Sequence, residues 1–279
     1  GLWQMLGCRE RDECACRDWF AEGNSRFLLL IAMNEYLIFR LYGMMASWGD
    51  IAAGEYRPTY DRPSKSAVMG MVAAALGIRR DEETRLRELA IGYHMALRID
   101  TPGTLLRDYH TAQVPPSGKG RNKITFATRK AELSGSKHDL NTILSSRDYR
   151  CDAHYTVCLW SNSETSPYPL SAIKDNLDKP VFNLCLGRKS CPLSLPLRPQ
   201  IVQADTISDA FSSVPFEGNP FTKPLESKKD VQVFWEGEEN TGYERVLAVQ
   251  RRDDPLSKKR WQFGNRTEYY TMIHKPAEG

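Results

Sequence analysis

The chain has 279 residues, 41% of them hydrophobic and 26% charged, with a net charge of +3. That length suits one large domain or two modest ones, and the composition is ordinary for a globular protein. The longest apolar run, Phe27 to Met33, stops at Asn34–Glu35, well short of the roughly 20 residues that cross a bilayer, so no membrane partner is expected.

Residues 1–33 differ from the rest and are read as an N-terminal extension. Glu10, Asp12, Glu13, Asp18 and Glu22 stand where a secretory signal needs positive charge, so a cytoplasmic location is expected. Seven cysteines, an odd number, argue against a disulfide framework and for reduced thiols. Cys8, Cys14 and Cys16 lie close together, but no fourth Cys or His stands at ligand spacing and Cys14-x-Cys16 is not a CxxC knuckle. No metal and no cofactor is expected.

From Asn34 to Gly43 the pattern alternates, with Leu37, Phe39 and Leu41 on one face and Tyr36, Ile38, Arg40 and Tyr42 on the other, as in a strand. After a loop marked by Gly43, Gly49 and Gly54, Ser64 is placed to cap a helix. Its apolar stripe is Val68, Met71, Val72, Ala75 and Leu76, and it stops at Gly77. Asp81 is placed to cap a second helix ending at Gly92. Tyr93, Met95, Leu97 and Ile99 mark a second strand; Ala153, Tyr155, Val157 and Leu159 mark a third, over Cys151 to Trp160. A short helix capped by Ser171 and closed by Pro180 leads to a fourth strand over Val181 to Leu186.

The order β-α(α)-β-arm-β-α-β predicts an α+β fold of ferredoxin-like type over residues 34–198. Residues 199–279 are read as a small, mainly β portion packed on that domain. It holds a helix-like piece (Asp205 to Phe211) and strands over Val231–Glu236, Glu244–Arg251 and Thr267–His274.

Between the second and third strands lies a basic arm, residues 101–150. It holds nine Lys/Arg against four acids, a local charge of +5 that leaves the remainder of the chain net acidic. Pro115, Pro116, Gly118, Gly120 and Gly135 interrupt it. A basic arm projecting from a sheet suits the backbone of a nucleic acid.

Three short segments could join it. Met44-Met-Ala-Ser-Trp48-Gly follows the first strand, and Met44 or Trp48 would stack on an unpaired base or else cap the core. Lys65 at a helix N-terminus favours a phosphate, or is a solvated lysine beside an ordinary cap. Gly187-Arg188-Lys189-Ser190 would bring donors against a phosphodiester, or form a charged turn. Tyr109, His110 and Lys65 supply acid–base groups for a metal-independent endoribonuclease, but no catalytic motif or paired-acid spacing demands one.

Five segments appear in order: Glu35 to Gly49, Arg62-Pro-Ser-Lys-Ser66, Leu106-Arg-Asp-Tyr-His-Thr111, Tyr149-Arg-Cys-Asp152 and Leu186-Gly-Arg-Lys-Ser-Cys-Pro-Leu193. With them the chain resembles the type I-E branch of the Cas-five family of CRISPR-associated proteins, of the RAMP superfamily, from about Met33 to Lys275. The resemblance implies a fold like an RNA-recognition motif with a β-hairpin thumb at roughly 101–150, and a glycine loop at Gly187–Cys191. It implies a non-catalytic subunit of the Cascade surveillance complex that binds the 5′ handle of the CRISPR RNA and caps the filament of backbone subunits. It also implies contact with the large PAM-reading subunit, and target DNA near the thumb.

On that reading Lys65, Arg188, Lys189 and Ser190 hold handle phosphates. Arg107, Tyr109, His110 and Arg150 sit at the thumb base, Met44 or Trp48 lies near a nucleotide, and Arg121, Lys123, Arg129 and Lys130 follow the thumb. In I-E systems a separate subunit processes the precursor RNA, whereas in I-C relatives the equivalent subunit is the nuclease, so the family alone leaves the enzyme alternative open. The first 32 residues have no counterpart in the family.

Overall fold

The computed structural model describes residues 34–50, 52, 54–115, 126–135, 140–162, 166–214, 230–237, 241–257, 259–260 and 262–274. In chain order the strands and helices begin with β1 (Asn34–Tyr42), β2 (Met45–Ala46), β3 (Trp48–Gly49), β4 (Tyr56–Arg57), β5 (Thr59–Tyr60), α1 (Lys65–Ala75) and α2 (Glu83–Ile91). The middle of the chain gives β6 (Tyr93–Thr101), β7 (Thr104–Val114), α3 (Arg129–Glu132), β8 (Asn141–Cys151), β9 (His154–Ser161) and α4 (Leu170–Asp178). Last come β10 (Gln200–Ala204), α5 (Ile207–Ser213), β11 (Asp230–Trp235), β12 (Leu247–Ser257) and β13 (Gln262–His274).

Seven strands form one antiparallel sheet in the order β10-β1-β9-β6-β11-β13-β12. The alternation in β1 explains why it lies inside. Leu37, Phe39 and Leu41 join the apolar layer that also contains residues of α1, α2 and α4. Tyr36 and Ile38 pack on the opposite layer with Ile207, Ala210 and Phe211 of α5. A strand covered on both faces buries nearly all its side chains, and truncating Phe39, which is fully buried, would cost about 3–5 kcal/mol.

The helix signals translate unevenly. Ser64 caps α1 by accepting from Ala67 N at 3.1 Å, and Gly77 follows the helix with φ +74°. For α2 the cap position is Glu82, not Asp81, and for α4 it is Pro169, not Ser171.

The run Val181–Leu186 is not a strand. The backbone N–H groups of Val181 and Phe182 donate instead to Ala75 O (3.0 Å) and Ala74 O (3.1 Å), satisfying carbonyls at the end of α1. The strand on the outer side of β1 is β10, which falls in the stretch read from sequence as the C-terminal portion. The rest of that stretch joins the same sheet: β11 pairs with β6, and β13 and β12 extend it outward. Pro255 lies within β12, a place open to proline because β12 is the sheet edge and its ladder shifts register there.

Between β6 and β9 the chain leaves the main sheet as a hairpin. β7 and β8 pair without a register shift from Thr104↔Cys151 to Val114↔Asn141. Short strands clamp its base: β2 pairs antiparallel with Arg150–Cys151, and β4 pairs parallel with Ser146–Arg147. Both crossings between sheet and hairpin use left-handed backbone, at Gly103 (φ +64°) and Asp152 (φ +56°). A Cβ on Gly103 would come within 2.4 Å of Cys151 O, so the tight crossing requires glycine. No helix among the described residues is long and apolar enough to cross a membrane.

Candidate nucleic-acid interface

Asp148 organises the base of the hairpin. It faces Arg107 directly across the β7–β8 ladder. Arg107 donates through Nε to Oδ1 (2.9 Å) and through Nη2 to Oδ2 (3.1 Å), a two-point grip on one carboxylate. The Tyr56 hydroxyl donates to Oδ2 at 2.6 Å and accepts from Arg107 Nη2 at 2.8 Å. The hydrogen bond from Arg107 comes first among the causes that hold the Asp148 carboxyl below its ordinary pKa, although burial opposes it. The backbone oxygen of Asp148 accepts from Ser47 Oγ (3.1 Å) and from Arg188 Nη1 (3.3 Å). One residue thus ties both hairpin strands to β4, to the β2–β3 connection and to the loop after Leu186.

That loop is closed by Leu186 N to Cys191 O (2.7 Å) and Cys191 N to Arg188 O (2.9 Å), and anchored by Ser47 N to Leu186 O (3.0 Å). Gly187 has φ +86°, and a Cβ there would lie 1.9 Å from Ser47 O. Only glycine lets the loop lie this close to the β2–β3 connection. Arg188 also donates Nη2 to Arg57 O at 3.0 Å and stacks over Tyr149 at 4.8 Å. Both of its hydrogen bonds go to backbone carbonyls, so the guanidinium serves as a strut between the loop, β4 and the hairpin base. Lys189 and Ser190 are exposed at the tip.

Among the other expected site residues, Met44 is 70% exposed beside the hairpin base, where Asp152 N donates to its carbonyl. Tyr109 is 73% exposed, on the hairpin face that carries Arg107. His110 falls on the opposite face and its imidazole contacts the Asp108 carboxylate. Arg150 is half-buried, opposite Ala46 on β2 and Leu105 on β7. Arg129 pairs with Glu132 at 2.6 Å, and Lys130 is exposed on α3. Arg121 and Lys123 lie outside the described residues.

Two expectations are corrected. Trp48 is 1% exposed and packs edge-on against Tyr155, ring centroids 5.7 Å apart, so it supports the core and offers no face to a base. Lys65 is 6% exposed, with its ammonium 2.8 Å from Glu236 and its backbone N–H donating to Asp253 Oδ2 at 2.9 Å. The Lys65 N–H at this helix start meets a protein carboxylate in place of a phosphate.

Lys65 belongs to a buried ion cluster. Arg266 donates to Asp253 (Nε–Oδ1 2.6 Å) and Glu268 (Nη2–Oε1 2.7 Å), Arg251 reaches Asp253 and Glu268, and Arg62 contacts Glu268. Burial alone would raise the Glu268 pKa, but Arg266, Arg251 and Arg62 pull it down to about 2. The cluster fastens the start of α1 to β12 and β13.

Sequence reasoning missed Asp148, Tyr56 and Ser47. The motif it used, Tyr149-Arg-Cys-Asp152, begins one residue after Asp148, and an acid inside a basic arm gives no local sign of its cross-strand partner. Register alone brings Arg107 to it.

Fold and site together define a mixed α/β protein with a braced hairpin and a glycine loop at one end of its sheet. Residues 36–269 match the family described as CRISPR-associated protein (Cas_Cas5), and the chain belongs to that family. It is 31% identical over 248 residues to CRISPR system Cascade subunit CasD of Escherichia coli (strain K12), covering 86% of this chain and 96% of that protein. A chain solved in a CRISPR RNA-guided surveillance complex is 28% identical, with a TM-score of 0.58 over 87% of this chain and 91% of that one.

Proposed function

We propose that the chain is a non-catalytic subunit of a CRISPR RNA-guided complex. It binds the 5′ handle of the CRISPR RNA and caps one end of the backbone-subunit filament, next to the large PAM-reading subunit. On this reading β10-β1-β9-β6 is a ferredoxin-like core of RAMP type, and β7–β8 is its thumb, close to the target DNA. The supporting observation is the glycine loop fastened to the hairpin base, with Lys189 and Ser190 exposed at its tip. Lys189 meets a backbone phosphate, Arg188 adds charge from behind, and Met44 and Tyr109 offer exposed surfaces to bases.

The groups that would serve a nuclease do not converge. Tyr109 and His110 are consecutive strand residues on opposite faces, and Lys65 is enclosed with Glu236. Incubating the purified protein with a repeat hairpin in chelator should leave the RNA intact.

The test of binding is affinity across a salt series in the assembled complex. Lys189→Ala should flatten the dependence of log K on log salt by about one unit, the loss of one phosphate contact. An unchanged slope, with no RNA crosslink to residues 187–190, would remove the loop from the interface.

A further inference from the structure

Arg107 is an exposed arginine in a basic arm, and an exposed arginine ordinarily acts as a mobile cation for any phosphate. Here its freedom is gone. Nε and Nη2 are both committed to Asp148, and Nη2 also meets the Tyr56 hydroxyl. Tyr56 is held in turn by the pairing of β4 with β8. The guanidinium lies 5.1 Å from the Tyr56 ring centre. What remains open is the Nη1 edge, in one orientation. The carboxylate that fixes it is 2% exposed, so it neutralises the guanidinium without offering itself to solvent.

We propose that Asp148 is a positioning residue that sets specificity: it converts Arg107 from a general phosphate binder into an oriented donor that accepts only correctly placed RNA. This rests on the handle-binding reading given above and deepens it. The chemistry follows from two properties. A pre-neutralised guanidinium releases little counterion when RNA arrives, so it adds little to sequence-independent affinity. An oriented N–H edge rewards only an acceptor at the matching place and leaves a mismatched ligand unpaired, which is how fixed donors discriminate. The Asp148 backbone oxygen, holding Ser47 and Arg188, keeps the glycine loop in register with that donor, so phosphate and acceptor must arrive together.

The test compares the cognate CRISPR RNA with the same RNA carrying a scrambled handle, each bound by the complex assembled with its partner subunits, across a salt series. Asp148→Asn keeps the shape and removes the charge; Arg107→Lys keeps the charge and removes the two-point grip. Asp148→Asn should steepen the salt dependence by about one unit and bind scrambled RNA more tightly, whereas Arg107→Lys, still neutralised by Asp148, should keep the slope of the unmodified protein. Both variants should lose about tenfold in discrimination, the scale of one well-placed donor pair. The double variant Arg107→Gln with Asp148→Asn should return the slope to that of the unmodified protein while discrimination stays low.

A merely structural Asp148 would weaken both RNAs by the same factor with no change in slope, and that result would overturn the proposal. So would unchanged discrimination in both single variants. Equal affinity of the unmodified protein for the two RNAs would instead overturn the handle reading itself.

Discussion

Arg107 and Asp148 stand opposite each other on adjacent strands, and their two-point contact closes the base of a hairpin that otherwise faces solvent along most of its length. The exposed part of such a ladder frays readily, whereas its base is braced by β2 and β4. Tyr56 links the brace to the pair. Tyr56→Phe removes the donor to Asp148 and the acceptor for Arg107, so amide exchange should speed up at the hairpin base around residues 105–107 and 146–150. The main sheet should keep its protection. Equal acceleration in β1 and β9 would show that the hairpin is not a separate unit of stability.

Gly187→Ala should separate folding from RNA binding. The added methyl group meets Ser47 O on backbone already at φ +86°, so the loop must move away from the hairpin base. The strain costs about 1–3 kcal/mol, confined to a surface loop. Circular dichroism should therefore change little, while affinity for handle RNA falls at least about tenfold, the effect of one or two lost charged contacts. Retained affinity would mean that RNA does not use this loop.

Lys65→Met distinguishes the two roles that can be assigned to that lysine. Removing one member of a buried pair leaves Glu236 under-compensated and costs about 3 kcal/mol. Chemical denaturation should register that loss. The salt dependence of RNA binding should stay the same, because the ammonium is enclosed against Glu236. A flatter slope in a fully folded variant would return Lys65 to the interface.

Acid should loosen the C-terminal hairpin. Glu268 is held at about 2 in the folded protein against an ordinary 4.5. A depressed carboxylate contributes stability that is present in full above its unfolded value and lost as pH falls toward its folded one. Stability should therefore decline between about pH 4.5 and about pH 2, by on the order of 3 kcal/mol from this group. Asp148, shifted the same way, adds to the same trend. Denaturation midpoints measured through that range should show the decline, and Glu268→Gln should show a shallower one.

The amino-acid pattern was enough for the elements whose cause is local. Alternating apolar residues over Asn34–Tyr42 and Tyr93–Ile99 mark strands, Ser64 and Gly77 bracket α1, and the charge of residues 101–150 marks the arm. Each depends on neighbours a few residues apart, so the information is contiguous. Trp48 and Lys65 were ambiguous for the opposite reason. Whether an aromatic caps a core or faces a base, and whether a lysine meets a carboxylate or a phosphate, depends on groups far along the chain: Tyr155 for one, Glu236 for the other.

The fourth strand shows the same limit. Val181–Leu186 and Gln200–Ala204 both carry β-forming residues, and the choice went to the segment whose backbone reaches β1, while Val181 and Phe182 were taken by the open carbonyls of α1. Sequence by itself determined the periodic elements, the basic arm and the family pattern. Only the tertiary structure decided which cations are free and which are held, because a charge is neutralised by what lies across a ladder or beneath a helix, and neither distance is written in sequence separation.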